Sequence, residues 1–134
     1  EHEFLMRRKR SGGGGQFMDQ DKIASLRRKT VTDLARSFSS VSMADDGTGR
    51  GPVLSTTRAG RACPINVFLD GTPVSQMALD GIVTPDLLVG IEYYAGFASP
   101  PAKYSSFDRS QCGTMLLWTK TDFARREEAK EEGR

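Results

Sequence analysis

One stretch governs what this chain can become: "TMLLWT", residues 114–119, is apolar on both of the faces a strand presents. Side chains alternate along a strand, so Met115 and Leu117 point one way and Leu116 and Trp118 the other. A strand with no polar side belongs inside a sheet that is covered on both faces. Two further strand signals can supply its neighbours. In "INVFLDG", Ile65, Val67 and Leu69 alternate with Asn66 and Phe68 before the turn dipeptide Asp70-Gly71. In "GIEYYAG", Ile91, Tyr93 and Ala95 alternate with Glu92 and Tyr94.

A cysteine stands at the mouth of two of these strands, Cys63 before "INVFLDG" and Cys112 before "TMLLWT". Two cysteines are too few for a structural zinc site, they have no CxxC spacing, and the one histidine, His2, sits in the N-terminal tail. The remaining readings are a disulfide and a pair of buried reduced thiols. If the two strands are sheet neighbours running the same way, their mouths share an edge and a bridge needs no backbone distortion. Closing a loop of about fifty residues is worth roughly 4 kcal/mol in the chain-entropy model. A disulfide also implies an oxidising compartment such as the periplasm.

The rest of the chain supplies one domain with loose ends. Its 134 residues can bury about two thirds of their unfolded surface in a single core. Residues 1–16, with Arg7 to Arg10 followed by four glycines, read as a flexible basic tail or linker. Residues 17–120 form the domain, and 121–134 a charged C-terminal tail. Asp19 is placed to cap a short helix bearing Ile23 and Leu26, and Thr30 with Asp33 resembles a capping box with the shorter acid. The second helix carries Val31, Leu34, Ala35, Phe38 and Val41 at helical spacing, a stripe for packing. "ADDGTGRGP" reads as a hairpin or an exposed loop and "VLSTTRAG" as a strand, while Thr84 and Pro85 head another short helix. The stretch from "INVFLDG" to "GIEYYAG" has the spacing of a strand, helix, strand unit.

Function classes narrow on the same residues. Asp45 and Asp46 lack the alternating ligands and closing glutamate of a calcium loop, so no metal or cofactor is expected. Asp70, Asp80 and Asp86 near Tyr93 or Tyr94 are the best catalytic set available. They fit turn and cap positions and have no histidine or nucleophile beside them, so no enzyme is expected. A net charge of +2 and basic clusters without interleaved aromatics give no nucleic-acid platform. No run approaches the ~18 apolar residues that a membrane helix needs.

Together "INVFLDGTPV", "LDGIVTPDLLVGIEYYAG" and "CGTMLLWTK" resemble the second half of the plug domain of TonB-dependent outer-membrane receptors. "FMDQDKIASLRRKTVTDLARSFSSV" is similar to that family's opening pair of short helices, and "VLSTTRAG" to its early strand. The resemblance spans about residues 17–120. It implies an α+β fold, a small mixed sheet flanked by short helices. It also implies a non-enzymatic domain that gates uptake and contributes to ligand binding, lodged in an outer-membrane barrel and worked by a TonB-type energy transducer. Ligand contacts would come from outward loops, here Arg50 in "ADDGTGRG" and Phe97, Lys103 and Tyr104 in "FASPPAKY". No transducer box is identified in residues 1–16, and after the closing strand comes a charged tail rather than alternating barrel strands. The chain therefore reads either as an excised plug on the periplasmic side of the outer membrane, or as a freestanding periplasmic domain of plug-like fold. In the second case it would bind a small ligand, a protein or a glycan without a barrel.

Overall fold

Met115, Leu116, Leu117 and Trp118 are all buried, in the middle strand of a five-stranded sheet. The structure, a computed structural model, describes residues 15–45, 49, 51–58, 60–95, 104 and 112–121. In chain order the elements are β1 (Gly15–Asp19), α1 (Gln20–Leu26), α2 (Val31–Ala35), β2 (Ser42–Asp45), β3 (Pro52–Arg58) and β4 (Arg61–Pro64). They continue with β5 (Asn66–Leu69), β6 (Thr72–Val74), α3 (Gln76–Ile82), a 3-10 turn (Pro85–Leu87), β7 (Leu88–Tyr94) and β8 (Thr114–Thr119).

The main sheet has the order β1-β7-β8-β5-β6, and a second sheet of three strands has the order β2-β3-β4. β8 runs parallel to β5, with Asn66 opposite Thr114, and antiparallel to β7, with Tyr94 opposite Thr114. The fold is therefore α+β, a mixed sheet with short helices, as the sequence resemblance implied. One face of the sheet buries Val67, Ile91, Tyr93, Met115 and Leu117 against Ile23 of α1, Leu34 of α2, Leu79 of α3 and Leu54 of the second sheet. The other face buries Phe68, Tyr94, Leu116 and Trp118 together with Tyr104.

The helices start where side-chain acceptors meet their first free amides. Asp19 Oδ1 accepts from the Lys22 amide at 2.8 Å, and Thr30 Oγ1 accepts from the Asp33 amide at 3.1 Å. Asp80, on α3, accepts from the Thr32 amide at 2.9 Å, so one helix completes the first turn of another. All five residues of the apolar stripe are buried. The helix itself closes at Ala35, and Phe38 and Val41 reach the core through successive turns, Phe38 N to Ala35 O and Val41 N to Phe38 O. Asp70 and Gly71 both take positive φ, +50° and +90°, the pair of values a two-residue hairpin requires.

Four features differ from the sequence reading. β1 begins at Gly15 and pairs with β7 from Gly15↔Tyr94 to Asp19↔Gly90, so the strand includes two residues of the segment read as a tail. β6 is an additional edge strand made of Thr72, Pro73 and Val74. β5 and β7 do not pair as a strand, helix, strand unit. They flank β8 from opposite sides and run in opposite directions. Thr84 precedes the 3-10 turn as expected, but its hydroxyl donates to the Asp86 carboxylate rather than accepting from an amide. Among the described residues no helix is long and apolar enough to cross a membrane.

Candidate functional site

Cys63 lies in β4 and Cys112 two residues before β8, and a disulfide joins them with a Cα–Cα separation of 5.2 Å. Because β4 belongs to the smaller sheet and β8 to the larger, the bridge fastens one sheet to the other. The backbone around it is held independently. Thr56 Oγ1 donates to the Cys112 carbonyl at 2.7 Å, and the Asn66 amide donates to the Gly113 carbonyl at 3.0 Å. Gly113 has φ of +122°, and a Cβ there would stand 3.2 Å from the Tyr93 ring and from the Tyr94 carbonyl. Only glycine fits that turn into β8 without strain. Gln76, at the head of α3, makes a second attachment between the sheets. Its Oε1 accepts from the Leu54 amide at 2.6 Å, and its Nε2 donates to the carbonyls of Leu54 and Ile65, each at 2.9 Å.

The second face of the main sheet is aromatic around one carboxylate. Glu92 is fully buried. Its Oε1 accepts from the Tyr94 hydroxyl at 2.7 Å and its Oε2 from the Trp118 indole N–H at 2.6 Å. A buried carboxylate is tolerated only when such donors replace the water it has lost. Phe17 meets Tyr94 edge-on at 6.0 Å, and Phe68 meets Tyr104 edge-on at 4.9 Å. At the end of the sheet, Asp70 accepts from the Thr119 amide at 2.8 Å and from the Thr119 hydroxyl at 2.7 Å, which ties the ends of β5 and β8 together.

The three aspartates considered for catalysis are thus accounted for by structure. Asp70 clamps Thr119, Asp80 caps α2, and Asp86 faces Thr84. The Thr84 hydroxyl, as its main partner, holds the Asp86 carboxyl below the usual carboxylate value, with smaller help from its own backbone amide and from Lys120. Among the described residues no three His, Cys, Asp or Glu side chains gather as a metal site. Of the residues expected to contact ligand, Tyr104 is 3% exposed and packs on Phe68. Arg50, Phe97 and Lys103 lie outside the described residues.

The Glu92–Trp118–Tyr94 group and the Gln76 attachment went unread in the sequence. A signal for the first was present: "TMLLWT" needs cover on both faces, so a strand paired with it cannot carry a solvated Glu92. Gln76 gives no such signal, because its role depends on two segments brought together only by the fold.

No family model matches the sequence, and no curated protein matches it. Solved structures do match by fold. The chain superposes on the ferric enterobactin receptor PfeA of Pseudomonas aeruginosa, R480A mutant in complex with enterobactin, with a TM-score of 0.63 at 16% identity, over 81% of this chain and 18% of that one. The siderophore receptor PirA of Acinetobacter baumannii gives 0.60 at 16% identity, over 80% of this chain and 17% of that one. The RagAB peptide importer in its "open-open" state gives 0.51 at 14% identity, over 81% of this chain and 12% of that one. The chain therefore shares its fold with a part of these proteins and spans less than a fifth of the length of each.

Proposed function

We propose that this chain is the plug-like domain of a TonB-dependent outer-membrane receptor. It would be non-enzymatic, gate uptake through a barrel and contribute to ligand binding. The observation that carries the reading is the superposition on siderophore receptors over four fifths of the chain. The Cys63–Cys112 bridge agrees with the periplasmic side of the outer membrane, where disulfides persist. In this reading the partners are a TonB-type transducer and a barrel. Arg50, Phe97 and Lys103 are proposed as contacts for a ligand, while Tyr104, buried against Phe68, would act through packing rather than by touching it.

An immunoblot of fractionated source cells with an antibody raised against this domain tests the reading. A band several times larger than 134 residues, in the outer-membrane fraction, supports the receptor. A small band in the soluble periplasmic fraction overturns it in favour of a freestanding periplasmic domain that binds a small ligand, a protein or a glycan. That alternative draws on the core that the described residues bury within this chain.

A further inference from the structure

A cavity of about 270 Å³ opens where α1 meets the 3-10 turn and the end of β8. Its apolar floor is Ile23 and Leu88, both buried, with Pro85 and Ala24 beside them. Arg27, Arg28 and Lys120 also line it, and all three are exposed. The one acidic group in the lining is Asp86, which accepts from the Thr84 hydroxyl, keeps its negative charge and interacts with Lys120, so the head group is held mainly by Arg27 and Arg28. Arg28 pairs with Asp33 across 3.7 Å of solvent-exposed surface, a contact weak enough to yield to a ligand.

Arg27 stands at the turn that closes α1. It is the C-cap of α1 with φ 51° and ψ 38°, a left-handed conformation that glycine or asparagine adopts at less cost. That turn ends α1 at the rim of the cavity, so Arg27 and Arg28 both stand in its lining.

We propose that this cavity binds a small amphipathic anion, its phosphate or carboxylate head held mainly by Arg27 and Arg28, with Lys120 beside them, and a short apolar body lying on Ile23 and Leu88. The volume lies just below the range of drug-sized ligand pockets, roughly 300 to 1,000 Å³, which fits a head group and a few carbons. Arginine presents a planar fork to both kinds of head, and the apolar floor separates this ligand from inorganic phosphate alone. The cavity lies at the end of β8 remote from the bridge, so its failure leaves the receptor reading untouched.

The test is an NMR titration of the intact chain with hexyl phosphate, with hexanol as the uncharged control. Saturable shifts are expected at the amides of Ala24, Arg27, Leu88 and Lys120, weakened by added salt and absent with hexanol. Arg27→Gln and Lys120→Gln, both exposed positions, should each weaken binding by up to about fivefold. Equal shifts with hexanol, shifts that do not saturate, or unchanged affinity in both variants would overturn the proposal. Cosedimentation with phosphatidylglycerol vesicles, lost in Arg27→Gln, assigns the anion to a lipid headgroup. Binding of hexyl phosphate without cosedimentation assigns it to a free ligand.

Discussion

Cys63 and Cys112 are positioned by their neighbours before any sulfur chemistry takes place. Thr56 holds the Cys112 carbonyl, and Gly113 supplies a backbone turn that no side chain would allow. The bridge then removes freedom from the unfolded chain rather than distorting the folded one. Cys63→Ser and Cys112→Ser should each cost about 2 to 4 kcal/mol, and the double variant no more than either single, because all three lose the same bond. Thermal melts with and without reductant check this, and equal melting of the natural chain in both would refute it. Asp86 carries a smaller, pH-dependent effect. Its folded pKa is depressed, so the stability it contributes is present above the ordinary carboxylate value and is lost as pH falls through the folded one. Thr84→Val should move the Asp86 midpoint up towards the ordinary value, read by carboxyl NMR titration. Any difference in stability that arises from this carboxylate should vanish at pH below both midpoints.

At the scale of elements, β7 and β8 explain why part of the site was legible and part was not. β8 was read as a strand covered on both faces, and all four of its central residues are buried. Alternation in "IEYY" shows which residues share a side but not what covers each side, and β7 shares the second face of β8. In the register Glu92↔Leu116 and Gly90↔Trp118, Glu92 and Trp118 are diagonal neighbours on that face, with Tyr94 two residues along the same strand. The carboxylate therefore meets two donors that the sequence already contained, and only the pairing of the strands brings them together. Glu92→Leu should cost about 2 kcal/mol or more, because it strands the Trp118 N–H and the Tyr94 hydroxyl in an apolar layer. Trp118→Phe should cost about 1 to 3 kcal/mol, and the double variant less than the sum, with a coupling above about 0.5 kcal/mol. Urea unfolding of the three variants measures the cycle, and strict additivity would remove Glu92–Trp118 as an energetic unit.

The whole molecule is two sheets of unequal standing. The edge strands β1 and β6 escaped the sequence reading for a local reason. Gly15 and Gln16 continue a glycine run, and Thr72-Pro73-Val74 is short and contains a proline, so neither has a hydrophobic period to read. The central strands were legible because burial on both faces writes itself into composition. The smaller sheet depends on a few attachments: Leu54 in the core, the Ile65 amide on the Leu54 carbonyl at 3.0 Å, the Gln76 side chain, Thr56 and the bridge. β8, by contrast, is paired along both edges. Opening of the smaller sheet should therefore cost less than global unfolding, and the bridge should be the attachment that most limits it. Native-state hydrogen exchange with and without reductant separates the two scales. Reduction should speed exchange at Leu54 and Thr56 more than at Leu116, and Gln76→Ala should add to that difference by removing the side chain that holds the Leu54 amide and the Ile65 carbonyl, while the Leu54 carbonyl keeps the Ile65 amide. Uniform acceleration across β3 and β8 would mean that the two sheets open only together, so that the bridge acts on the chain as a whole and the smaller sheet has no independent motion for a ligand or a partner to use.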